Sequence, residues 1–501
     1  MQKLLELKQV SITRGNIALL DNINLTLNRG EQWAIVGTSG SGKTTLAQAI
    51  MGMAYHRGEI IHYPDPANNL NPVFVEQQHH FKNLSNTNEF YYQQRFNSAD
   101  ADNSINVEEA LSEYKDERYW IETLRLVPLL KEPLIQLSNG ENKRLQLAKA
   151  LMVSPTLLIL DNPFTGLDKE GRHTLNLILN DICAKGIHLL LITSPTELPD
   201  AITHVAILEN GRLISSGKKE MTKVGPVVSH DTLKEKNDAL LFNNAIAPLL
   251  DELISATPAD DAVFADAVNM RNVTIRYAGK TILHQINWRV RKGECWRIAG
   301  PNGAGKSTLL SLITGDNPQA YANEVWLFDQ RRGSGESIWD IKKRIGFISP
   351  ELHLHFDQAS TCFEVIASGL FDTVGLFRIL SESQEKTVTA WLRIMQLEDF
   401  ARKPLRQLST GQQRMALLAR ALIKNPPVLI LDEPCQGLDE QQIGFIKRLI
   451  DHLHKRSGTT LIYVSHYDHE LPSCINKSLL LDQGVMTIQP ERVSKDQANP
   501  K

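Results

Sequence analysis

The chain has 501 residues, a length typical of two to four domains, and 42% hydrophobic and 22% charged residues place it among ordinary globular proteins. A net charge of −3 at pH 7 excludes a whole-chain attraction to nucleic acid or anionic lipid. Five widely spaced cysteines disfavour a disulfide framework or a zinc site and favour a reducing cytosol. The N-terminus lacks the apolar core of a signal peptide, and no run of about 18 apolar residues predicts a membrane span.

Each half of the chain begins with a strand-rich segment and continues into a glycine-rich loop. Alternating apolar residues at 4–27 and 273–290 predict an antiparallel β layer. A short apolar strand then leads into each loop, and helices predicted at 44–51 and 307–314 follow the loops. A mixed, partly helical insert and further αβ units complete each half.

Both loops have the pattern G-x-x-x-x-G-K-[ST], in which backbone N–H groups surround a phosphate, the lysine reaches terminal phosphates and the hydroxyl binds Mg²⁺. The predicted phosphate-binding residues are Gly37, Thr38, Ser39, Gly40, Ser41, Gly42, Lys43, Thr44 and Thr45 in the first half, and Gly300, Pro301, Asn302, Gly303, Ala304, Gly305, Lys306, Ser307 and Thr308 in the second. A coincidental Gly/Ser loop could explain one copy, but two copies in the same strand–helix context indicate nucleotide binding.

An apolar run ends in polar residues later in each half. In the second half it leads into Asp432 and Glu433, and in the first half into Asp161 and Asn162. Such a run predicts a buried parallel strand, and open α/β sheets bind ligands at the carboxyl edge of these strands. There Asp432 can hold Mg²⁺ through water, and Glu433 can orient a water against a phosphate.

The motifs recur in the same order, which indicates a tandem duplication. The predicted organisation is a first nucleotide-binding module at 1–222, a mildly acidic linker at 223–267, a second module at 268–490 and a frayed tail at 491–501. A short helix is predicted within the linker at 243–253.

A Leu-Ser-x-Gly motif precedes each acidic run, and its serine also suits a helix N-cap. With this order of motifs, the chain resembles the ATP-binding cassette (ABC) ATPases in a twin-cassette arrangement. The resemblance implies an α/β fold of tandem P-loop NTPase modules, each with a mixed or parallel sheet core, an antiparallel β layer and a helical insert. It also implies ATP and Mg²⁺ as ligands. The signature motif of one cassette then caps the nucleotide of the other, within one chain, through Ser138, Gly140, Ser409 and Gly411.

Further roles follow from the same resemblance. The implied metal-site residues are Thr44, Gln77, Asp161, Ser307 and Asp432, and the implied catalytic residues are Glu433, His466 and Lys306. Tyr277 takes the place of an adenine-stacking aromatic, with an ordinary strand residue as the alternative. The second module lacks the loop glutamine, and either Ser349 or Glu351 can substitute.

The two predicted sites are unequal. The first half has Asn162 and Pro195 where the second has Glu433 and His466. Asparagine cannot accept a proton as a carboxylate can, and proline has no side-chain donor. We therefore expect the second site to hydrolyse ATP and the first to bind it and turn over slowly. The alternative is that Asn162 is neutral drift.

Residues 321–346, followed by Leu352-His353-Leu354, are similar to the ModF group of twin-cassette proteins, which is named for an association with molybdate transport. That resemblance implies a cytoplasmic ATPase, or one attached to the inner face of the cell membrane, that serves separate membrane permease subunits. The alternative is a soluble ATPase that remodels a macromolecular complex such as the ribosome. Because the linker is acidic, nucleic acid is not an expected partner. A scaffold that binds ATP without hydrolysis is disfavoured by the Glu433–His466 pair.

Overall fold

The structure is a computed structural model of the chain. It describes residues 2–14, 17–64, 71–77, 105–114, 118–134, 137, 139–195, 197–222, 239–256, 263–277 and 279–489. The described residues form two compact units, the first up to residue 222 and the second from residue 239. The predicted tail and parts of the predicted linker lie outside the described residues.

The first unit combines an antiparallel layer, a central sheet and flanking helices. Its strands are β1 (Lys3–Arg14), β2 (Ile17–Asn28), β3 (Trp33–Val36), β4 (Arg57–His62), β5 (Pro72–Val75), β6 (Leu157–Asp161), β7 (His188–Ile192), β8 (His204–Glu209) and β9 (Arg212–Lys218). Its helices are α1 (Lys43–Ile50), α2 (Val107–Leu111), α3 (Arg118–Thr123), α4 (Asn139–Met152) and α5 (Lys169–Ala184), with a 3₁₀ turn at Val127–Leu129. The layer has the order β2-β1-β4, and the central sheet has the order β5-β6-β7-β3-β8-β9.

The second unit repeats this plan. It opens with a π-helical turn (Phe242–Ile246) and α6 (Ala247–Ala256). Its strands are β10 (Asp266–Tyr277), β11 (Lys280–Arg291), β12 (Cys295–Ala299), β13 (Glu324–Leu327), β14 (Gln330–Arg331), β15 (Ile345–Ile348), β16 (Val428–Asp432), β17 (Thr460–Val464), β18 (Lys477–Asp482) and β19 (Val485–Gln489). Its helices are α7 (Lys306–Thr314), α8 (Ile338–Arg344), α9 (Pro350–His355), α10 (Cys362–Ser368), α11 (Glu382–Ile394), α12 (Thr410–Leu422) and α13 (Glu440–Ser457), with 3₁₀ turns at Pro318–Ala322, Glu398–Phe400 and Leu405–Gln407.

The two central sheets have the same topology. In the second unit the order is β15-β16-β17-β12-β18-β19, and the antiparallel layer is β11-β10-β13-β14. Within each central sheet the strands pair in parallel except for the last, β9 or β19, which is antiparallel to its neighbour. These sheets, with helices and an antiparallel layer in each unit, confirm the predicted α/β class.

The strand that ends at each acidic corner is buried on both faces. In β16, Leu429 and Leu431 pack into one core, whereas Val428 and Ile430 pack into the other. A strand with two buried faces has no polar side, which explains its continuous apolar sequence. Since β12 runs parallel to β17 and β17 to β16, the glycine loop and the acidic corner both leave the sheet at its carboxyl edge.

The segment predicted as a linker contains a helix that belongs to the second unit. Phe242, Ile246 and Leu250 are buried in the same core cluster as the apolar residues of α12 and α13. In the part of the chain that the structure describes, Ala239–Ala256 is the one helix long and apolar enough to cross a membrane. This is a weak indication, because a core helix of a soluble protein passes the same criterion.

Candidate active site

Each glycine loop connects a central strand to a helix and includes the predicted residues 37–45 or 300–308. Gly37 passes so close to β8 that a β-carbon would lie 1.9 Å from the carbonyl oxygen of Leu208. At Gly300 the corresponding distance, to the carbonyl oxygen of Leu481, is 2.1 Å. Only glycine fits at these two positions, so the loop stays close to the sheet with its N–H groups at a helix N-terminus, an arrangement that binds phosphate.

The loop lysines bond to their own loops. Lys43 Nζ donates to the carbonyl oxygens of Gly37 and Thr38, both at 2.7 Å. Lys306 Nζ donates to the carbonyl oxygens of Gly300 and Pro301, at 2.8 and 2.9 Å. Both ammonium groups therefore lie over the phosphate cradle, where a phosphate can take over from the carbonyls as their acceptor.

The first unit brings two predicted metal-site residues into contact. Thr44 Oγ1 donates to Asp161 Oδ2 at 2.7 Å, and Asp161 is 4% exposed. Burial raises the pKa of Asp161, and the bond from Thr44 opposes that rise. A hydroxyl beside a carboxylate is an oxygen donor set that suits Mg²⁺.

In the second unit Asp432 ends β16 and Ser307 lies in the first turn of α7. Burial raises the pKa of Asp432 well above its ordinary value, and the negative charges of Glu351 and Glu433 raise it further. Two carboxylates whose charges act on a buried third one favour the binding of a cation. This set also fits Mg²⁺, and it includes Glu351, which the sequence left as one of two alternatives.

Glu433 and His466 meet at the acidic corner of the second unit. The distance from His466 Nε2 to Glu433 Oε1 is 3.1 Å. Burial opposes ionisation of Glu433, but the contact with His466 and the charge of Lys306 outweigh it and lower the pKa of Glu433. The carboxylate is therefore ionised at neutral pH and can accept a hydrogen bond from a water.

The first unit has an amide at the same corner. Asn162 Nδ2 donates to Asp161 Oδ1 at 2.8 Å and approaches Gln77 Oε1 at 3.4 Å. The amide thus joins two predicted metal-site residues but offers no basic oxygen to a water. Pro195 is exposed and lies three residues after the end of β7, whereas His466 lies two residues after the end of β17. The register of the two strands therefore makes Ser194, not the predicted Pro195, the counterpart of His466.

The signature motif of the second unit starts a helix. Ser409 is the N-cap of α12, with Gln412 N donating to Ser409 Oγ at 3.3 Å and Ser409 N donating to Gln412 Oε1 at 2.9 Å. Gly411 is buried in the first turn, and Gly140 lies in the first turn of α4. The helix-cap interpretation is thus correct for Ser409 and is compatible with a ligand role for Gly411. Ser138 lies outside the described residues.

Tyr277, the predicted adenine-stacking residue, makes contacts within its own unit. Its hydroxyl accepts a hydrogen bond from Asn317 Nδ2 at 2.9 Å, and its ring packs against the β-layer core. Burial raises its pKa. These contacts give Tyr277 a packing role in its strand, and its stacking on adenine stays a prediction. Arg14, at the corresponding place in the first unit, is exposed.

The comparisons with known proteins agree with this geometry. A family model described as ABC transporter matches residues 20–165 and 283–436. The chain belongs to the ABC ATP-binding family. It is 36% identical over 485 residues to the ABC transporter ATP-binding protein ModF of Escherichia coli K12, covering 94% of this chain and 96% of the relative. It is 32% identical over 495 residues to an uncharacterized ABC transporter ATP-binding protein of Schizosaccharomyces pombe, with 94% and 96% coverage.

Solved structures show the same fold. A model of ribosome-bound archaeal Pelota and ABCE1 is similar with a TM-score of 0.61 and 17% identity, covering 97% of this chain and 79% of that chain. The complex of archaeal ribosomal stalk protein aP1 with ribosome recycling factor aABCE1 is similar with a TM-score of 0.53 and 17% identity, covering 98% and 90%. The resemblance to ABC proteins is therefore confirmed, and this ABC protein has two ATP-binding ATPase domains in tandem.

Sequence reasoning missed the basic residue in the second turn of each ABC signature helix. Arg414 donates to backbone carbonyls at the Asp432 corner, and Lys143 Nζ donates to the carbonyl oxygen of Asn162 at 3.2 Å. Burial lowers the pKa of Lys143 to about 8. A basic residue at the same distance after both signature glycines was the signal that could have identified them.

Proposed function

We propose that the second cassette is the working ATPase centre and that the first binds ATP and turns over slowly. The contact between Glu433 and His466 carries the proposal, because the first cassette has Asn162 in place of Glu433 and Ser194 in place of His466, and these supply neither a carboxylate nor an imidazole. A partly buried, ionised carboxylate beside the phosphate cradle is placed to orient an attacking water. Lys306, which already lies over the loop, then stabilises charge on the phosphates.

Mg²⁺ is part of the same proposal. Thr44 and Asp161 would hold it in the first cassette, and Ser307 and Asp432, with Glu351 nearby, would hold it in the second. When bound, the ion would neutralise negative charge on the nucleotide phosphates.

The test compares Glu433→Gln with Asn162→Ala, the matched change in the first cassette. Loss of an oriented base typically costs about 10²–10⁴-fold in turnover. We expect Glu433→Gln to lose that much kcat for ATP hydrolysis and Asn162→Ala to stay within about threefold of the wild type. Near wild-type turnover in Glu433→Gln would overturn the assignment of sites.

The cassettes are proposed to pair within one chain, so that Ser409 and Gly411 cap the nucleotide of the first cassette and Ser138 and Gly140 that of the second. Light scattering of the Glu433→Gln protein with ATP tests this. A monomeric mass supports pairing within the chain, and a dimeric mass that depends on ATP contradicts it.

We further propose a transport-related role with separate membrane permease subunits, of the molybdate type, for a protein that is cytoplasmic or peripheral at the inner face of the membrane. The resemblance to ModF supports it. The second candidate is remodelling of a ribosome-like complex, which the shared fold with the ABCE1 structures favours. The acidic linker weighs against that candidate, because contact with RNA needs basic surface.

One experiment separates the two roles. The Glu433→Gln protein is trapped with ATP and purified by affinity from its native host. Membrane permease subunits in the eluate support transport, whereas ribosomal particles support the second candidate and overturn the first.

A further inference from the structure

The signature helix of the second cassette carries a buried arginine that faces the acidic corner. Arg414 has none of its surface exposed. Its Nη2 donates to the carbonyl oxygen of Asp432 at 3.0 Å and to that of Glu433, and its Nε donates to that of Pro434 at 3.2 Å. One side chain thus fixes the carbonyls of three consecutive residues at the corner that carries the predicted base.

The same guanidinium reaches a second loop. Arg414 Nη1 donates to the carbonyl oxygen of Ser349 at 3.1 Å, in the segment that follows β15. The preceding residue of α12, Gln413, bonds to His353 Nε2 through Oε1 at 2.6 Å, which ties α9 to the same helix. The signature helix, the 349–353 segment and the acidic corner are therefore joined through two adjacent side chains.

A guanidinium suits this task better than an amine. Its planar fork places several N–H donors at fixed angles, so the bonded carbonyls are held relative to one another. Glu433 has a left-handed backbone conformation with φ of 48°, which is unfavourable for a residue with a long side chain and must be maintained by its surroundings. The bond to the Glu433 carbonyl lies directly at that residue.

The first cassette makes the corresponding link differently. There the loop glutamine, Gln77, reaches the corner through the side chain of Asn162 at 3.4 Å. Lys143, at the place of Arg414, donates to the carbonyl oxygen of Asn162. The second cassette has no glutamine at the matching position, and Arg414 spans from the Ser349 carbonyl to the corner instead.

We propose that Arg414 is a positioning residue for ATP hydrolysis in the second cassette. It holds the backbone carbonyls of residues 432–434 in place and so orients the side chain of Glu433. It also connects this backbone to the 349–353 segment, as Gln77 connects its loop to Asn162 in the first cassette. This proposal rests on the proposed function, in which the second cassette hydrolyses ATP.

The test is Arg414→Lys, with Arg420→Lys as the matched control. Arg420 lies on the same helix, is also buried, and donates to Ser368 Oγ and the Thr373 carbonyl rather than to the corner. We expect Arg414→Lys to lower kcat by about 10- to 100-fold, the scale of a small misplacement, with KM for ATP within twofold. Arg420→Lys should keep kcat within twofold of the wild type, although its thermal midpoint of unfolding should shift by about as much as that of Arg414→Lys.

Equal kcat in the two variants would overturn the proposal, as would a loss that appears in KM alone. Arg414→Gln, which keeps two donors without the buried charge, is the second variant if Arg414→Lys does not fold, and the same loss of kcat is expected. In the double variant Arg414→Lys/Glu433→Gln, kcat should equal that of Glu433→Gln, because a positioning residue acts through the base. Independent, multiplying losses would contradict this.

The two proposals fail in different ways. If Glu433→Gln keeps wild-type turnover, the proposed function fails and this inference fails with it. If Glu433→Gln loses turnover but Arg414→Lys matches Arg420→Lys, only the role of Arg414 is overturned.

Discussion

Asn162 and Glu433 have the same backbone conformation in the two repeats, with left-handed φ values of 44° and 48°. Each donates its N–H to the last carbonyl of the neighbouring strand: Asn162 to Ile192 at 2.8 Å, and Glu433 to Val464 at 3.0 Å. The backbone turn and its bond to the neighbouring strand are thus the same at the two corners, whereas the side chain at the turn differs. Asparagine adopts this conformation more readily than glutamate, so the corner with the acidic base is the strained one.

Glu433→Asn should therefore give the second corner the side chain of the first without loss of stability. We expect the free energy of unfolding to stay within about 1 kcal/mol of the wild type, because relief of backbone strain offsets the lost contact with His466. Turnover should fall by about 10²–10⁴-fold. Urea unfolding and steady-state ATPase assays measure the two effects, and a large loss of stability would contradict the equivalence of the corners.

His353 makes stability depend on pH. Burial, followed by the charge of Arg414, lowers its pKa from 6.5 to about 4. The unfolded chain therefore binds the proton first, and stability is lost as pH falls from about 6.5 towards about 4, by at most about 3 kcal/mol. Urea unfolding at pH 7 and pH 5 should show a smaller loss in His353→Asn than in the wild type. Identical losses would show that another group controls this range.

Substitutions at Ser349 and Glu351 should differ in their effect on the Mg²⁺ dependence of ATP turnover. Ser349 Oγ accepts the N–H of Leu352 as the N-cap of α9, so Ser349→Ala should cost about 1 kcal/mol of stability and leave Mg²⁺ dependence unchanged. Glu351→Gln removes a negative charge near Asp432. The Mg²⁺ concentration for half-maximal turnover should then rise about 10-fold, as for other groups behind a metal ligand. The reverse pattern would assign the metal-site role to Ser349.

The helix at 239–256 should contribute to the stability of the second unit. Leu250 is fully buried, so Leu250→Ala should lower the free energy of unfolding by about 2–5 kcal/mol. Leu240 is 61% exposed on the same helix, and Leu240→Ala should change the free energy of unfolding by less than about 0.5 kcal/mol. Equal effects in thermal or urea unfolding would mean that the helix is not part of the folded core.

The repeated architecture was predictable because its signals are local. Helices expected to start at residues 44 and 307 start at Lys43 and Lys306, and the apolar runs form the buried strands β6 and β16. Glycine loops are also local, since their spacing follows from the contact of the backbone with phosphate. Both family and fold class followed from these patterns.

The parts that sequence did not predict depend on distant partners. Arg414 bonds to carbonyl oxygens, which every residue has, so the residues it contacts leave no trace in the sequence. The hydroxyl of Tyr277, the residue predicted to stack on adenine, bonds with Asn317, which is 40 residues away. The predicted linker helix did form, yet only tertiary packing shows to which unit it belongs.

The helix at 239–256 comes before the second copy of the repeat in the sequence, but its apolar residues are part of the hydrophobic core of that second unit. If the gene were divided between the repeats, the place of the break would decide the fate of both products. A break before residue 239 leaves the second product with its full core. A break between 257 and 265 would expose, in the second product, the apolar residues that Leu250 covers. The first product would then end in a helix with an exposed apolar face, which favours aggregation. We therefore expect a split chain to fold when the break lies before this helix and to aggregate when it lies after it.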